Sequence, residues 1–224
     1  LFYHLFFIIP RSSFPVLSSI FSHIFRRMEN NAKIQLSDAE MELVQNAEIL
    51  LTKNRIIGKV YEMFGQVAEL VNYGVGPSAK ISRGENYLGL PWVMLDYPRI
   101  FSRQEVFAVR VFFWWGNFFS VTLHCKGSYL QQHKQDILDN LPLLEKYGFH
   151  VCISNDEWRH EFTEDNYVPI ATVGQATLRE MLNAGSFCKL SARISLEQWS
   201  RVKLLLVELY EVIYNITGNQ LPSR

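Results

Sequence analysis

The sequence predicts an α+β fold, with a central, mostly antiparallel sheet and long N- and C-terminal helices packed on it. Three observations carry that expectation. Apolar residues recur at helical spacing near both ends of the chain, as one face of an amphipathic helix requires. The middle is rich in Val, Phe and Trp and is punctuated by turn residues, notably Gly116-Asn117. Helices and strands do not alternate regularly, which argues against a doubly wound parallel sheet.

Ser37-Asp38-Ala39-Glu40 reads as a capping box, with Ser37 accepting from the third helical N–H while Glu40 reaches back. Leu43, Ala47 and Leu50, then Ile57, Val60, Phe64, Val67 and Val71, form the stripe that follows. Asn54 interrupts it, so one long helix and two shorter ones both fit. Asn72-Tyr73-Gly74 closes the segment. Lys80–Arg83 and Pro91–Tyr97 are expected as short strands around Gly84-Glu85-Asn86, the second ended by Pro98. Val106–Trp115 and Phe119–Lys126 read as a hairpin.

A helix opens at Ser128 and runs to Gly148, with Pro142 as a kink or a restart. Phe149–Ser154 and Glu157–Phe162 are expected as a second hairpin across Asn155-Asp156. A helix from about Gln175 to Asn183 stops at Gly185, and Phe187–Ile194 is a further strand. Ser195-Leu196-Glu197-Gln198 is a second capping box. Trp199, Val202, Leu206, Leu209, Ile213 and Ile216 then mark a C-terminal helix that Gly218 ends.

Residues 1–27 stand apart. They hold six of the sixteen Phe, no Asp, Glu or Lys, and three arginines. Their apolar runs are broken at Pro10-Arg11 and are too short to span a bilayer. They also lack the charge order and cleavage site of a secretory signal. The expectation is an upstream extension, with a single α+β domain over residues 28–224 starting at Met28. An amphipathic membrane anchor is the rival reading.

Among the 224 residues, 48% are hydrophobic and 20% charged, with a formal net charge of zero. That balance excludes wholesale disorder and argues against a general nucleic-acid binder, which needs excess Lys and Arg. The three cysteines, Cys125, Cys152 and Cys188, show no C-x-x-C. They read as buried, reduced thiols of a cytoplasmic protein with no membrane association.

Motifs for phosphate cradling, for a serine nucleophile elbow or for a zinc helix do not occur. His150-x-Cys152 puts two metal-capable side chains on one strand face, but without a third ligand at recognisable spacing it reads as core, and no cofactor is expected. The remaining constellation is the hairpin. Phe107, Val109, Val111, Phe113 and Trp115 fall on one face, joined across the turn by Phe119, Val121, Leu123 and Cys125. The other face carries Arg110, Phe112 and Trp114 with Ser120, Thr122 and His124. Aromatic and hydrogen-bonding groups mixed in this way line ligand pockets and also partly solvated sheet faces. Pairing Arg110 with His124, and Trp114 with Ser120, leaves a Gly116-Asn117-Phe118 loop and keeps the two faces distinct.

Gly84-Glu85-Asn86-Tyr87-x-Gly89-Leu90-Pro91, Leu95-Asp96-Tyr97-Pro98-Arg99 and Phe113-Trp-Trp-Gly-Asn-Phe-Phe-Ser120 resemble motifs of an uncharacterised family of small bacterial cytoplasmic proteins. The resemblance spans Met28 to the C-terminus and implies no activity, catalytic residue or cofactor. The leading expectation is a non-catalytic binding or interaction protein, whose striped helices suit a homodimer. It would take a small anionic ligand on a face built from Arg110, His124, Trp114, Thr122, Ser120 and Arg99. The rival is a small enzyme acting on an anionic substrate, with Arg110 or Arg99 as the clamp and His124 as acid and base.

Overall fold

A computed structural model of the chain describes residues 34–74 and 77–217. Residues 1–27 and the Gly218 stop lie outside them. The chain divides into two units at Thr52/Lys53.

In the first unit, the Ser37 capping box forms as expected. Its hydroxyl accepts from the Glu40 amide at 3.3 Å, and the Glu40 carboxylate accepts from the Ser37 amide at 2.7 Å. It opens α1, Asp38–Gln45, which ends at Asn46 before α2, Ala47–Leu70, begins. The break therefore falls at Asn46, and Asn54 lies inside α2. Leu43 and Leu50 are exposed, so the first part of the expected stripe is not a core face.

In the second unit the stripe is core. Ile57, Val60, Phe64, Val67 and Val71 are buried, and Phe64 packs edge-on against Phe119 with centroids 6.3 Å apart. The strands are β1 Lys80–Tyr87, β2 Leu90–Phe101, β3 Val106–Trp114, β4 Phe118–Lys126, β5 His150–Cys152, β6 Tyr167–Pro169 and β7 Phe187–Ser195. They form one antiparallel sheet in the order β1-β2-β3-β4-β7-β5-β6. With α3 Ser128–Asp139, α4 Leu141–Lys146, α5 Gln175–Ala184 and α6 Val202–Thr217, the described residues hold six α-helices and seven strands. The fold is α+β, as the sequence predicts. Pro142 sits in the first turn of α4, where its missing N–H costs nothing.

Several boundaries differ from expectation, each for a local reason. Gly84 lies within β1, not in a turn, because the Trp92 indole of the next strand packs over it. A Cβ there would sit 2.6 Å from that ring. The β1–β2 turn is instead Leu88-Gly89. Pro98 does not end β2, since the register shifts between Asp96 and Arg99, and such a bulge tolerates a residue without an N–H. Glu157–Phe162 is not a strand. β5 pairs with Tyr167–Pro169, and residues 153–166 form a connecting segment. Asp156 helps to shape it by accepting from the Trp158 amide at 2.9 Å.

At the C-terminal end, Ser195 Oγ accepts from the Glu197 amide at 3.2 Å and opens a 3-10 turn, Leu196–Arg201, ahead of α6. Trp199 therefore lies before the α-helix and is 40% exposed, although its ring still meets Phe113 and Phe119. Val202, Leu206, Leu209, Ile213 and Ile216 are buried.

The sheet has two unlike faces. Val93, Leu95, Phe113, Val121, Leu190 and Ile194 point into the large core cluster with α2 and α6. The opposite face carries the polar groups.

Candidate functional site

The polar face is built by strand parity. In β3–β4 the pairs are Ala108↔His124, Arg110↔Thr122, Phe112↔Ser120 and Trp114↔Phe118. The expected pairing of Arg110 with His124 and of Trp114 with Ser120 is thus displaced by two residues. The turn is Trp115-Gly116-Asn117, and Phe118 is strand, packed edge-on against Trp114 at 5.7 Å. A shift of two preserves the faces. Arg110, Trp114, Ser120, Thr122 and His124 therefore share one side, joined across the sheet by Lys189, Ser191 and Arg193 of β7.

Most of this face is buried, covered by the 153–166 segment. Arg110 and Asp96 are each 8% exposed, and Arg110 Nε donates to Asp96 Oδ1 at 2.7 Å. Arg110 Nη1 reaches His160 Nε2 at 3.4 Å, which makes that nitrogen the acceptor and puts the ring proton on Nδ1. Burial and the neighbouring Arg110 and Lys189 cations hold His160 neutral, far below its ordinary range. His124 is pushed down to about 4, first by burial and then by Lys189. Its contact with Glu157, 3.0 Å from Nε2 to Oε2, is accordingly a hydrogen bond from a neutral ring. Lys126 supplies Glu157 with a cation at 2.6 Å.

The other predicted residues are similarly engaged. Thr122 Oγ1 meets Ser191 Oγ at 2.7 Å, Trp114 Nε1 donates to the Tyr87 carbonyl at 3.1 Å, and Ser120 is buried. Arg99 stands apart from them, donating to the Ser78 carbonyl at 2.8 Å. Lys189, 1% exposed, donates to the Arg159 carbonyl. Burial pushes its ammonium down to about 8. Glu161 joins the covering segment to β1 by accepting from Tyr87 Oη and from Arg159. Arg159 also forks onto both oxygens of Asp165 at 2.9 and 3.2 Å.

His150 and Cys152 share this face. His150 Nδ1 contacts the Gly148 carbonyl at 3.0 Å, and Cys152 Sγ points to Asn166 Oδ1 at 3.5 Å. Burial raises the Cys152 thiol, so it is a weak nucleophile. Among the described residues no three His, Cys, Asp or Glu side chains gather to hold a metal ion. No helix among them is long and apolar enough to cross a membrane.

The face opens at one end. A groove of about 410 Å³ lies between the β1–β2 turn, the β3–β4 turn and Phe162, and Arg193 forms part of its wall. A second hollow of about 450 Å³ shares Asn117, Phe118 and Arg193 and extends to Ser195 and Gln198. Arg193 is exposed and lies over the Phe162 ring, 5.6 Å from its centroid. It has no carboxylate partner among the described residues. Sequence reading missed Arg193, Leu88 and Phe162. For Arg193 a signal exists, since Lys189, Ser191 and Arg193 alternate with Cys188, Leu190 and Ala192 along β7.

No protein-family model, curated protein or solved structure matches this chain.

Proposed function

We propose that this chain is a non-catalytic, cytosolic binding protein that takes a small anionic ligand in the groove beside Arg193. One observation carries the reading: among the described residues, Arg193 is the cation on the polar face that is both exposed and without an ion-paired carboxylate. Arg110 is ion-paired and Lys189 is buried under the covering segment, so neither is available to a ligand from solution. Arg193 instead stands among aromatic rings and the Asn117 and Gln198 amides, a lining suited to orienting a small molecule.

Binding is favoured over catalysis because, among the described residues, no histidine lines the groove and its one carboxylate, Glu161, already accepts from Tyr87 and Arg159. His124 and His160 are buried, neutral and hydrogen-bonded elsewhere, whereas a general base works best with a pKa near the operating pH. The test is a melting screen of the full chain against small carboxylates, phosphates and neutral analogues. Ligand at 100 times its Kd stabilises by about 2.7 kcal/mol. Anions are expected to raise Tm in the wild type and not in Arg193→Gln. Shifts that persist in Arg193→Gln, or no shift from any anion, would count against the reading.

A further inference from the structure

We infer that the ligand is an aromatic monocarboxylate, its acid held by Arg193 and its ring set among Trp114, Phe118 and Phe162, with Leu88 kept at the groove rim to contact it. This rests on the binding reading above and narrows it to a chemical class.

The rings come first. Phe162 stands edge-on to Phe118 with centroids 5.1 Å apart, and Phe118 stands edge-on to Trp114 at 5.7 Å. Trp114 and Phe118 are 8% and 7% exposed, and Phe162 also stacks on Tyr167 at 4.8 Å. The rings therefore have edges rather than free faces to offer the groove, an edge-to-face fit for a flat aromatic guest. A cavity of about 150 Å³ takes a benzene, so a groove of about 410 Å³ has room for a ring and its acid side chain.

Charge then selects the acid. A guanidinium matches a carboxylate with two parallel hydrogen bonds, and among the described residues Arg193 is the cation that lines the wall. Glu161 lines the same groove. Burial pushes its carboxyl up, but hydrogen bonds from Tyr87 and Arg159 outweigh that and hold it ionised below its ordinary value. One cation beside one carboxylate tolerates a monoanion better than a phosphate dianion. Both Glu161 oxygens already accept, from Arg159 and from Tyr87, so the wall holds no free counter-charge for a ligand ammonium.

Leu88 is the independent observation. It occupies a left-handed backbone conformation, φ 51°, and is 66% exposed. It precedes Gly89, φ 85°, in the two-residue turn between Tyr87 and Leu90. Two positive φ values are the sign pattern of a type I′ turn, whose first position favours Asn. A leucine there is strained and gains no burial from the fold. Strain of this kind concentrates at ligand contacts, and Leu88 lines the groove.

The experiment is calorimetric titration of the full chain with phenylacetate, phenylacetamide, phenyl phosphate and L-phenylalanine, followed by phenylacetate with Arg193→Gln and Leu88→Asn. Phenylacetate is expected to bind best. The amide, the phosphate and the amino acid should each be at least about tenfold weaker, and Arg193→Gln should lose about tenfold or more. Leu88→Asn should weaken phenylacetate severalfold while raising Tm by about 2–4 °C. Equal binding of phenylacetamide would overturn the acid. Tighter phenyl phosphate or phenylalanine would overturn the monoanion. Wild-type affinity in Leu88→Asn would overturn the role of Leu88. If none of the four binds while other anions raise Tm in the screen, the aromatic class fails and the binding reading stands. If no anion raises Tm, both fail.

Discussion

Asp96→Asn should be among the most damaging polar substitutions in this protein. The side chain keeps its volume, so no cavity forms, but Arg110 loses its counter-charge in a site where both residues are 8% exposed. The carboxylate now receives the guanidinium at 2.7 Å, and the nearby Lys189 ammonium adds to the uncompensated positive charge. Breaking a buried pair from one side costs about 3–5 kcal/mol, a large share of the roughly 5–15 kcal/mol that holds a domain folded. Urea unfolding measures it as a lower midpoint at unchanged slope. Removing both charges tests the cause. Asp96→Leu with Arg110→Met should recover most of the loss, short of about 1 kcal/mol for the hydrogen bond that His160 Nε2 then lacks. A loss below about 1 kcal/mol in Asp96→Asn would refute the claim that this pair is a closed structural element.

Stability should also fall on mild acidification. His124 and His160 have folded pKa values below the ordinary 6.5, so the unfolded chain takes up protons first as pH falls below 6.5. Stability is therefore full above that pH and is lost toward pH 4, at up to about 1.4 kcal/mol per pH unit for each histidine. Urea midpoints that are flat from pH 7 to pH 5 would contradict this, and His124→Gln should remove about one proton from the slope. On α6, Leu206→Ala should cost about 2–5 kcal/mol, because Leu206 is fully buried. Lys203→Ala, which removes an exposed contact to Gln66, should stay within about 0.5 kcal/mol. Equal effects in thermal melts would mean that the helix face is misassigned.

Much of the fold is legible in the sequence because its signals are local. The Ser37 capping box, the restart at Pro142 and the stripe from Val202 to Ile216 depend on residues within one or two turns, and each forms where the pattern places it. The hairpin faces are legible for the same reason, since parity along a strand survives an error of two in register. The register itself turned on whether Phe118 belongs to the turn or to the strand, and its packing against Trp114 places it in the strand.

Long-range pairing is what the sequence conceals. β7 pairs with β4 across more than sixty residues of chain, and that pairing brings Lys189, Ser191 and Arg193 onto the polar face. The cover of residues 153–166 is equally non-local, because Glu161 is tied to Tyr87 and Glu157 to His124 and Lys126. Arg110 and His124, picked out in sequence, thus lie in the closed part of the face, while the open part joins Trp114, also picked out, to Leu88, Phe162 and Arg193, which only the long-range pairing brings beside it.

The most direct test of the account is where a ligand is felt. Backbone amide spectra of the 15N-labelled chain titrated with phenylacetate should show their largest shifts at Leu88, Asn117, Thr163 and Arg193. Thr122, His124 and Lys189 should remain unmoved beneath the covering segment. Shifts centred on those three buried residues, with the groove silent, would contradict the assignment of the binding site to the open end of the polar face.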